Sequence, residues 1–539
     1  MNRTSSNNKD NTKTDLKKDN SSGGGGGGGR TISARDNLAQ PLAAASSSPP
    51  PSTKISAEAW KITAILSCVA TMVMYAETML IPALPDLIKD FGVSYSMSSW
   101  ILAAYLLTGA VMTPIIGKLS DYYGRKKVLL IVMVIYMIGV SAAGFATDIV
   151  FMLVARAIQG IGLSMFPIAF GIVREQFPRD KISIGQGIIT SMFASGAVIG
   201  LLVGGIIIEN YGWQTTFFTI IPVAISLLFI IRRYIRVDEQ TNSYHQQRQG
   251  HRKLSKKENI SNIDIKGALT LAAAVTSFLL TLTYMETGTG SEIITYPLIM
   301  IAGISFALFI IIERRAAHPL IDLKLLTNKA ILPANLMIMI IGLLMFMVFQ
   351  TIPILVRNPQ PLGFGEDAIA TGNVQLPFAL VLLVFGASSG FLISRLGTLK
   401  PMVVGSVITA ISFFSLLMFH SSELGISASL ALLSVGLSLT SVGAMNVIIL
   451  TTPKQAIGAT LGTTLLMRVI GSSIGPAIAG VYMQANQSVL GISGIAQSFP
   501  SLASFNMIFL TAGVLAIASV MLAVLLRHRV LKMSIPNLV

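Results

Sequence analysis

The chain has 539 residues, of which 53% are hydrophobic and 12% are charged, whereas about 25% of the residues of soluble domains are charged. This composition excludes an ordinary soluble domain and indicates a polytopic membrane protein. The formal net charge of +15 would also suit a nucleic-acid partner, but the bases collect in tails and short loops, which is typical of the cytoplasmic side of a membrane protein.

Residues 1–58 are predicted to form a disordered cytoplasmic tail. The glycine run Gly23–Gly29 and many Ser and Asn residues cannot bury enough apolar surface to offset the entropy of ordering. Apolar segments then follow at regular intervals, each near the length of about 20 residues that crosses a bilayer. We place them near 60–84, 98–117, 128–147, 150–173, 184–208, 213–231, 265–285, 294–312, 330–354, 371–394, 400–419, 425–450, 458–484 and 503–526.

These fourteen predicted spans are an even number, so both termini lie on one side of the membrane. Only Lys89 and Arg357 fall in the loops of the other side, and only Arg156 and Arg468 fall within spans away from their inner ends. The positive-inside rule therefore predicts cytoplasmic termini.

An internal repeat divides the spans into two halves. A shift of the sequence by 273 residues places glycines, a leucine and a lysine of the second half on their counterparts in the first. These are Gly390, Leu392, Gly397 and Lys400 on Gly117, Leu119, Gly124 and Lys127, and Phe364-Gly365 on Phe91-Gly92. Two halves related in this way are typical of transporters that bind their substrate at the interface between repeats.

The repeat predicts an all-α integral membrane protein with two six-helix halves and an inserted helix pair. The predicted parts are the tail 1–58, the first half 59–231, a basic cytoplasmic loop 232–263, the inserted pair 264–313, a cytoplasmic loop 314–329, the second half 330–527 and a cytoplasmic tail 528–539.

The turn Gly117–Lys127 reads GKLSDYYGRKK between two spans. Its glycines permit dihedral angles that a Cβ forbids, and its carboxylate can pair with a nearby base or cap a helix. The turn resembles the G-x-L-x-x-D-x-x-G-R-K signature of the major facilitator superfamily, and we expect it to act in gating. The matching residues are Gly117, Leu119, Asp121, Gly124, Arg125 and Lys126.

Further motifs resemble the fourteen-helix drug:proton antiporter branch of that superfamily. The R-x-x-Q-G-x-G pattern occurs in the fourth span and W-x-x-x-x-Y-L in the second. The residues are Arg156, Gln159, Gly160 and Gly162, and Trp100, Tyr105 and Leu106. The resemblance implies the major facilitator fold and a transporter of the multidrug efflux type.

Two charges inside the first half are the candidates for proton coupling. A charge within a spanning helix is expected to face a cavity or a partner. For Arg156 the resemblance implies a coupling role, and the alternative is a bridge between helices through backbone carbonyls. Glu77 is the only acid well within a predicted span, and such a carboxyl can exchange a proton with its surroundings. The branch usually has Asp at the position of Ala76, so the equivalence of Glu77 with that Asp stays open.

The fifth span carries a glycine stripe at Gly196, Gly200 and Gly204, with Gly205 beside it. Glycines spaced by four residues allow close helix packing. The stripe resembles the branch's G-x-x-x-G-P-x-x-G-G motif, with Leu201 at the proline position. The second half has the proline, at Gly475-Pro476.

The predicted substrate cavity combines polar and adaptable apolar side chains from both halves. The ninth span is rich in Met and Phe, which suits surfaces that accept varied apolar ligands. Arg468 either contacts an anionic substrate or only braces its helix. The predicted cavity residues are Glu77, Tyr105, Gln159, Met345, Phe349, Gln350 and Arg468.

The leading functional hypothesis is a proton-coupled antiporter that exports hydrophobic or cationic compounds across the cell membrane. A proton-coupled symporter of a small metabolite and a non-transporting sensor or scaffold are the alternatives. We expect no enzyme activity, no cofactor, no metal site and no nucleic-acid partner, because no P-loop, catalytic triad or metal-ligand cluster occurs in the sequence. The expected partners are a small-molecule substrate, protons and the lipid bilayer, and the expected state is a monomer.

Overall fold

The computed structural model describes residues 55–178, 181–235, 264–284, 292–316, 319, 321, 323–453, 457–492 and 495–532. Most of the predicted tail 1–58, most of the loop 232–263 and the end of the tail 528–539 lie outside these residues. The described chain is almost entirely helical, and each predicted span overlaps a long helix. The predicted all-α membrane architecture is confirmed.

Among its described residues, the first half contains eight α-helices. They are α1 Ala57–Thr78, α2 Leu84–Phe91, α3 Tyr95–Tyr123, α4 Arg125–Gly144, α5 Ile149–Gly160, α6 Met165–Gln176, α7 Ile182–Tyr211 and α8 Trp213–Tyr234. The inserted pair is α9 Ile265–Tyr284 and α10 Glu292–Arg315, and the short α11 Leu323–Leu326 follows. The second half contains α12 Ile331–Arg357, α13 Ala368–Leu396, α14 Leu399–Phe419, α15 Glu423–Thr451, α16 Ile457–Ala485 and α17 Leu502–Lys532, with strands β1 Gln487–Ile492 and β2 Ile495–Pro500 between the last two helices.

Thirteen helices in the described ranges are long and apolar enough to cross a bilayer. The remaining predicted span, 184–208, falls on α7, where the shorter apolar stretch Ser195–Tyr211 is described. The chain is therefore a multi-pass membrane protein, and the count of fourteen spans stays a prediction.

Side-chain caps explain where several spanning helices begin. Ser56, Ser94, Asp148, Asp367 and Ser422 each accept a hydrogen bond from a backbone N–H in the first turn of the following helix. The first N–H groups of a helix have no partner inside the helix, and such caps satisfy one of them. Short polar residues at the ends of apolar runs thus set the helix boundaries.

Three local features differ from the prediction. The first span ends at Thr78, and the residues after it form α2 instead of continuing the span. The fourth span is interrupted by a 3₁₀ turn, Ile161–Ser164, between α5 and α6. The segment after α16 forms an antiparallel hairpin in which Gln487 pairs with Pro500 and Ile492 with Ile495. We call the end of the helical bundle that carries this hairpin the hairpin end. The opposite end, which carries the Gly117–Lys127 turn, is the basic end.

The internal repeat is visible in backbone conformation. Gly92 and its counterpart Gly365 have φ angles of 60° and 69°, and Gly124 and its counterpart Gly397 have φ angles of 96° and 78°. Residues with a Cβ rarely adopt such angles. The shared glycines therefore make the same turns in the two halves.

The glycine stripes also pack in the same way in the two halves. A Cβ on Gly196 would lie 2.6 Å from the carbonyl oxygen of Thr71 in α1. Gly471, which falls on Gly196 when the sequence is shifted by 275 residues, lies against the carbonyl oxygen of Met339 in α12. Each stripe thus brings the fifth helix of a half against the first helix of the same half, at a distance that a larger side chain would prevent.

The two halves meet at the hairpin end through a pair of matching contacts. The N–H of Tyr95, at the start of α3, donates to Gln484 Oε1 of α16 at 3.1 Å. The N–H of Ala368, at the start of α13, donates to Glu209 Oε2 of α7 at 3.1 Å. Each half therefore caps one helix of the other half. The difference between the two caps is their charge, since one acceptor is an amide and the other a carboxylate.

The inserted pair lies beside the junction between α3 and α16. Side chains of α9 share an apolar cluster with residues of both helices, including Leu271 of α9, Ala103 of α3 and Leu466 of α16. At the hairpin end Trp100 Nε1 of α3 donates to Thr283 Oγ1 of α9 at 3.0 Å. The pair is thus attached to one helix of each half.

Candidate functional site

Arg156 is fully buried in α5 and holds three helices together. Its Nε donates to the carbonyl oxygen of Ile101 in α3 at 3.0 Å. Its Nη1 donates to Gln159 Oε1 at 2.9 Å and lies 3.5 Å from the carbonyl oxygen of Ala76 in α1. The guanidinium carbon lies 4.7 Å from the centre of the Tyr105 ring, within the range of a cation–π interaction. These contacts match the alternative in which Arg156 bridges helices through carbonyls.

Glu77, one residue from the end of α1, is a buried carboxylate that lies between charges of the two halves. Its side chain is 6% exposed. It interacts electrostatically with Arg156 of its own half and with Arg468 of the other half. Neither arginine forms a direct ion pair with it among the described residues. Arg156 therefore interacts with Glu77 electrostatically without a direct ion pair, and no hydrogen bond to the Glu77 carboxylate is described.

Arg468 approaches this region from α16 in the second half. It is partly buried, although it lies well inside a spanning helix. Its backbone oxygen accepts a hydrogen bond from Ser472 Oγ at 2.9 Å. Its side chain interacts electrostatically with Glu77 but makes no hydrogen bond or ion pair within the described part of the chain. The Glu77 carboxylate thus interacts electrostatically with one guanidinium group of its own half and with one of the other half.

Several buried polar groups of α3, α5, α12 and α13 have no described hydrogen-bond partner. They are Tyr105 Oη, Arg156 Nη2, Gln159 Nε2, Gln350 Oε1 and both side-chain polar atoms of Gln375. Gln350 uses its other polar atom, Nε2, to donate to Ser98 Oγ of α3 at 3.0 Å, which joins α12 to the first half. Buried polar groups are nearly always paired, so these atoms are available to water or to a polar ligand.

Met345 and Phe349 are the apolar residues of the predicted cavity. They lie on α12, and their side chains are buried among neighbouring apolar residues. They are 6% and 1% exposed and belong to the apolar cluster of the second half. The Phe349 ring makes edge contacts with Phe346 and with Phe378 of α13. Both side chains therefore lie in the packed apolar cluster of the second half.

The Gly117–Lys127 turn forms an ion-pair network within the first half. Arg125 Nη2 lies 2.8 Å from Asp121 Oδ1, and Arg125 Nη1 lies 2.9 Å from Glu175 Oε1 of α6. Arg125 also donates to the carbonyl oxygen of Gly171. Lys126 is partly buried. Asp121 is 63% exposed, and no ion pair to the second half is described for it, so a bond from Asp121 across the halves is not a feature of this structure.

The glycines of the predicted packing motif lie at helix contacts. Gly200 faces the Thr78 hydroxyl, and a Cβ on Gly204 would lie 2.7 Å from the carbonyl oxygen of Met79. Gly205 lies against the carbonyl oxygen of Ala368, across the junction between the halves. Gly475 faces the carbonyl oxygen of Leu343 in α12, and Pro476 follows it inside α16.

An ion pair across the halves at the hairpin end was missed by the sequence reasoning. Arg357, the last residue of α12, donates to Asp86 of α2 and lies 3.5 Å from the carbonyl oxygen of Pro82. Both side chains are less than one third exposed. The available signal was that Arg357 is one of only two bases predicted on this side, which made a nearby acid its natural partner.

Comparison with known proteins decides the family. The family model described as Major Facilitator Superfamily matches residues 66–476, which is most of the chain. The chain belongs to the major facilitator superfamily.

Members of this superfamily with related sequences include bacterial drug transporters. This major facilitator protein is 26% identical over 418 residues to the multidrug transporter protein MdtP of Bacillus subtilis, covering 76% of this chain and 72% of the relative. It is 26% identical over 423 residues to the tetracenomycin C resistance and export protein of Streptomyces glaucescens, covering 76% and 73%.

The fold is also that of solved superfamily structures. The human organic anion transporter MFSD10 aligns with a TM-score of 0.55 at 15% sequence identity, covering 88% of this chain and all of that one. At this identity the likeness establishes the fold alone.

Proposed function

We propose that this transporter is a proton-coupled antiporter that exports hydrophobic or cationic drugs. Its sequence relatives include proteins named for multidrug transport and for drug export. The single observation that supports proton coupling is the position of Glu77. It is a buried carboxylate near the interface between the halves, where transporters of this kind bind their substrates.

A single carboxylate is sufficient for exchange. Protonated Glu77 is neutral and compatible with an apolar surrounding, whereas ionised Glu77 attracts a cation. Proton and substrate then compete for one group, and movement of one requires departure of the other. Alternating access between the two sides of the membrane converts this competition into antiport.

The proposed setting is the cell membrane, with a monomer whose basic end is cytoplasmic. The tails, the loop 232–263 and the Gly117–Lys127 turn carry most of the bases, which supports this orientation. The proposed organisation keeps the two six-helix halves 59–231 and 330–527 as moving bodies, with the pair 264–313 inserted between them.

The test is flux of tetraphenylphosphonium in proteoliposomes with an imposed pH gradient of either sign. We expect uptake against its gradient only when protons leave in the opposite direction, and Glu77→Gln should abolish this flux while Glu77→Asp retains part of it. Flux of the cation together with protons would instead establish symport, and wild-type flux in Glu77→Gln would remove Glu77 from the coupling.

A further inference from the structure

The two arginines near Glu77 differ in how they are bound. Arg156 is held by two carbonyl oxygens, by Gln159 and by the Tyr105 ring. The Arg468 side chain has no hydrogen bond or ion pair among the described residues, although it lies well inside a spanning helix. A charge in such a place is costly unless it meets a partner or an aqueous cavity, and it commonly marks a substrate pathway.

The charges around the site do not favour a simple cation. Arg468 and Arg156 together outnumber the one carboxylate of Glu77, and protonation of Glu77 would leave only positive charges. A ligand with a single positive group would therefore be attracted by Glu77 and repelled by Arg468. A ligand that also carries an anionic group would find a partner on each half.

We propose that Arg468 binds an anionic group of the substrate while Glu77 binds its cationic group, so that the preferred substrates are amphoteric molecules with an apolar body. This inference rests on the proposed transport function and names its substrate class. Guanidinium and carboxylate groups form charge-assisted hydrogen bonds that are stronger than neutral ones. The two groups of one ligand would then connect α1 of the first half with α16 of the second.

The experiment uses tetramethylrhodamine, which is a zwitterion with a free carboxylate, and its methyl ester, which is a cation with the same ring system. Binding to the purified full-length transporter in detergent is followed by fluorescence polarisation. The wild-type protein should bind the acid more tightly than the ester, by roughly tenfold if one charge-assisted hydrogen bond is gained. Equal or weaker binding of the acid by the wild-type protein would overturn the proposal without any variant.

Variants then assign the preference to Arg468. Arg468→Gln should remove the preference for the acid and leave binding of the ester unchanged or stronger, and Arg468→Lys should retain part of the preference. Arg529→Gln, at the basic end of α17, is the matched control and should keep the wild-type ratio. An unchanged ratio in Arg468→Gln would contradict the assignment.

The rhodamine binding experiment and the proton-driven flux experiment can fail independently of each other. Absence of pH-driven tetraphenylphosphonium flux would refute proton-coupled export of simple cations, and the ratio of the two rhodamine affinities would remain an independent measurement of the two-charge site. Conversely, normal flux with no preference for the acid would retain the transporter and reject the two-charge site.

Discussion

At the scale of residues, Arg156 and Arg468 show that two buried arginines in one protein can have different roles. Both stood out in the sequence as charges within apolar segments, so their positions were predictable from composition alone. Their partners were not, because the carbonyls of Ile101 and Ala76 become neighbours of Arg156 only when three helices pack together. The ion pair between Asp86 and Arg357 was also not predictable, because the two residues are far apart in the sequence.

This difference predicts unequal effects on stability. Arg156→Gln should lower the free energy of unfolding by about 2 kcal/mol or more, because it removes charged hydrogen bonds and leaves carbonyl oxygens without a donor. Arg468→Gln should change it little, since its side chain has no described bond to lose. Thermal unfolding of both variants in the same detergent gives the comparison. Equal losses in the two variants would indicate that Arg468 also has a bracing role.

At the scale of elements, the glycine stripe of α16 sets its distance from α12. A Cβ on Gly475 meets backbone atoms of Leu343 and Met347, whereas a Cβ on Gly462 in the same helix meets nothing within 4 Å. The stripe was visible in the sequence from its four-residue spacing. That this stripe packs against α12 is visible only in the structure.

We therefore expect opposite effects from the same substitution at two positions of α16. Gly475→Ala should destabilise the protein by about 1–3 kcal/mol through overpacking against α12. Gly462→Ala should stabilise it by about 0.5–1 kcal/mol, because alanine is the better helix former. Thermal unfolding of both purified variants gives the sign of each change. A neutral Gly475→Ala would show that α16 can move away from α12 without loss.

The ion pair between Asp86 and Arg357 connects the ends of α2 and α12 and should favour the conformation that is closed at the hairpin end. The pair is partly exposed, so we expect about 1 kcal/mol, or a change of about fivefold in the ratio of closed to open molecules. Spin labels at Lys89→Cys and Gln360→Cys, in a Cys68→Ser background, report the separation of the halves at this end.

Asp86→Asn should increase the population with the longer separation. The exchanged pair Asp86→Arg with Arg357→Asp should restore the short separation, which a loss caused by misfolding would not allow. Identical distance distributions in the wild type and Asp86→Asn would show that the pair has no part in closure.

The hairpin β1–β2 is one of the elements that the sequence did not predict. Ser493-Gly494 separates the paired residues Ile492 and Ile495, and a two-residue linker with glycine is a hairpin signal. The signal was weak because the flanking runs lack regular alternation of apolar and polar residues. By contrast, the long apolar segments predicted the spanning helices well, since length and hydropathy suffice for a membrane helix.

At the scale of the whole molecule, orientation in the membrane is a prediction from the distribution of charge. In a Cys68→Ser background, Lys127→Cys should be protected from an impermeant thiol reagent in intact cells, whereas Glu366→Cys should react. Both side chains are exposed in the structure, so a difference in labelling would report the side of the membrane. Reaction of Lys127→Cys with intact cells would invert the proposed orientation.

The position of the inserted pair makes the two lipid-facing sides of the molecule unequal. On one side α9 fills the flank of the junction between α3 and α16. On the other side α7 and α13 meet directly, and their apolar side chains, such as Val203 and Val384, are exposed at the perimeter. The surface that a hydrophobic molecule diffusing in the bilayer would meet therefore differs between the two flanks, even though the transporter is built from a repeat.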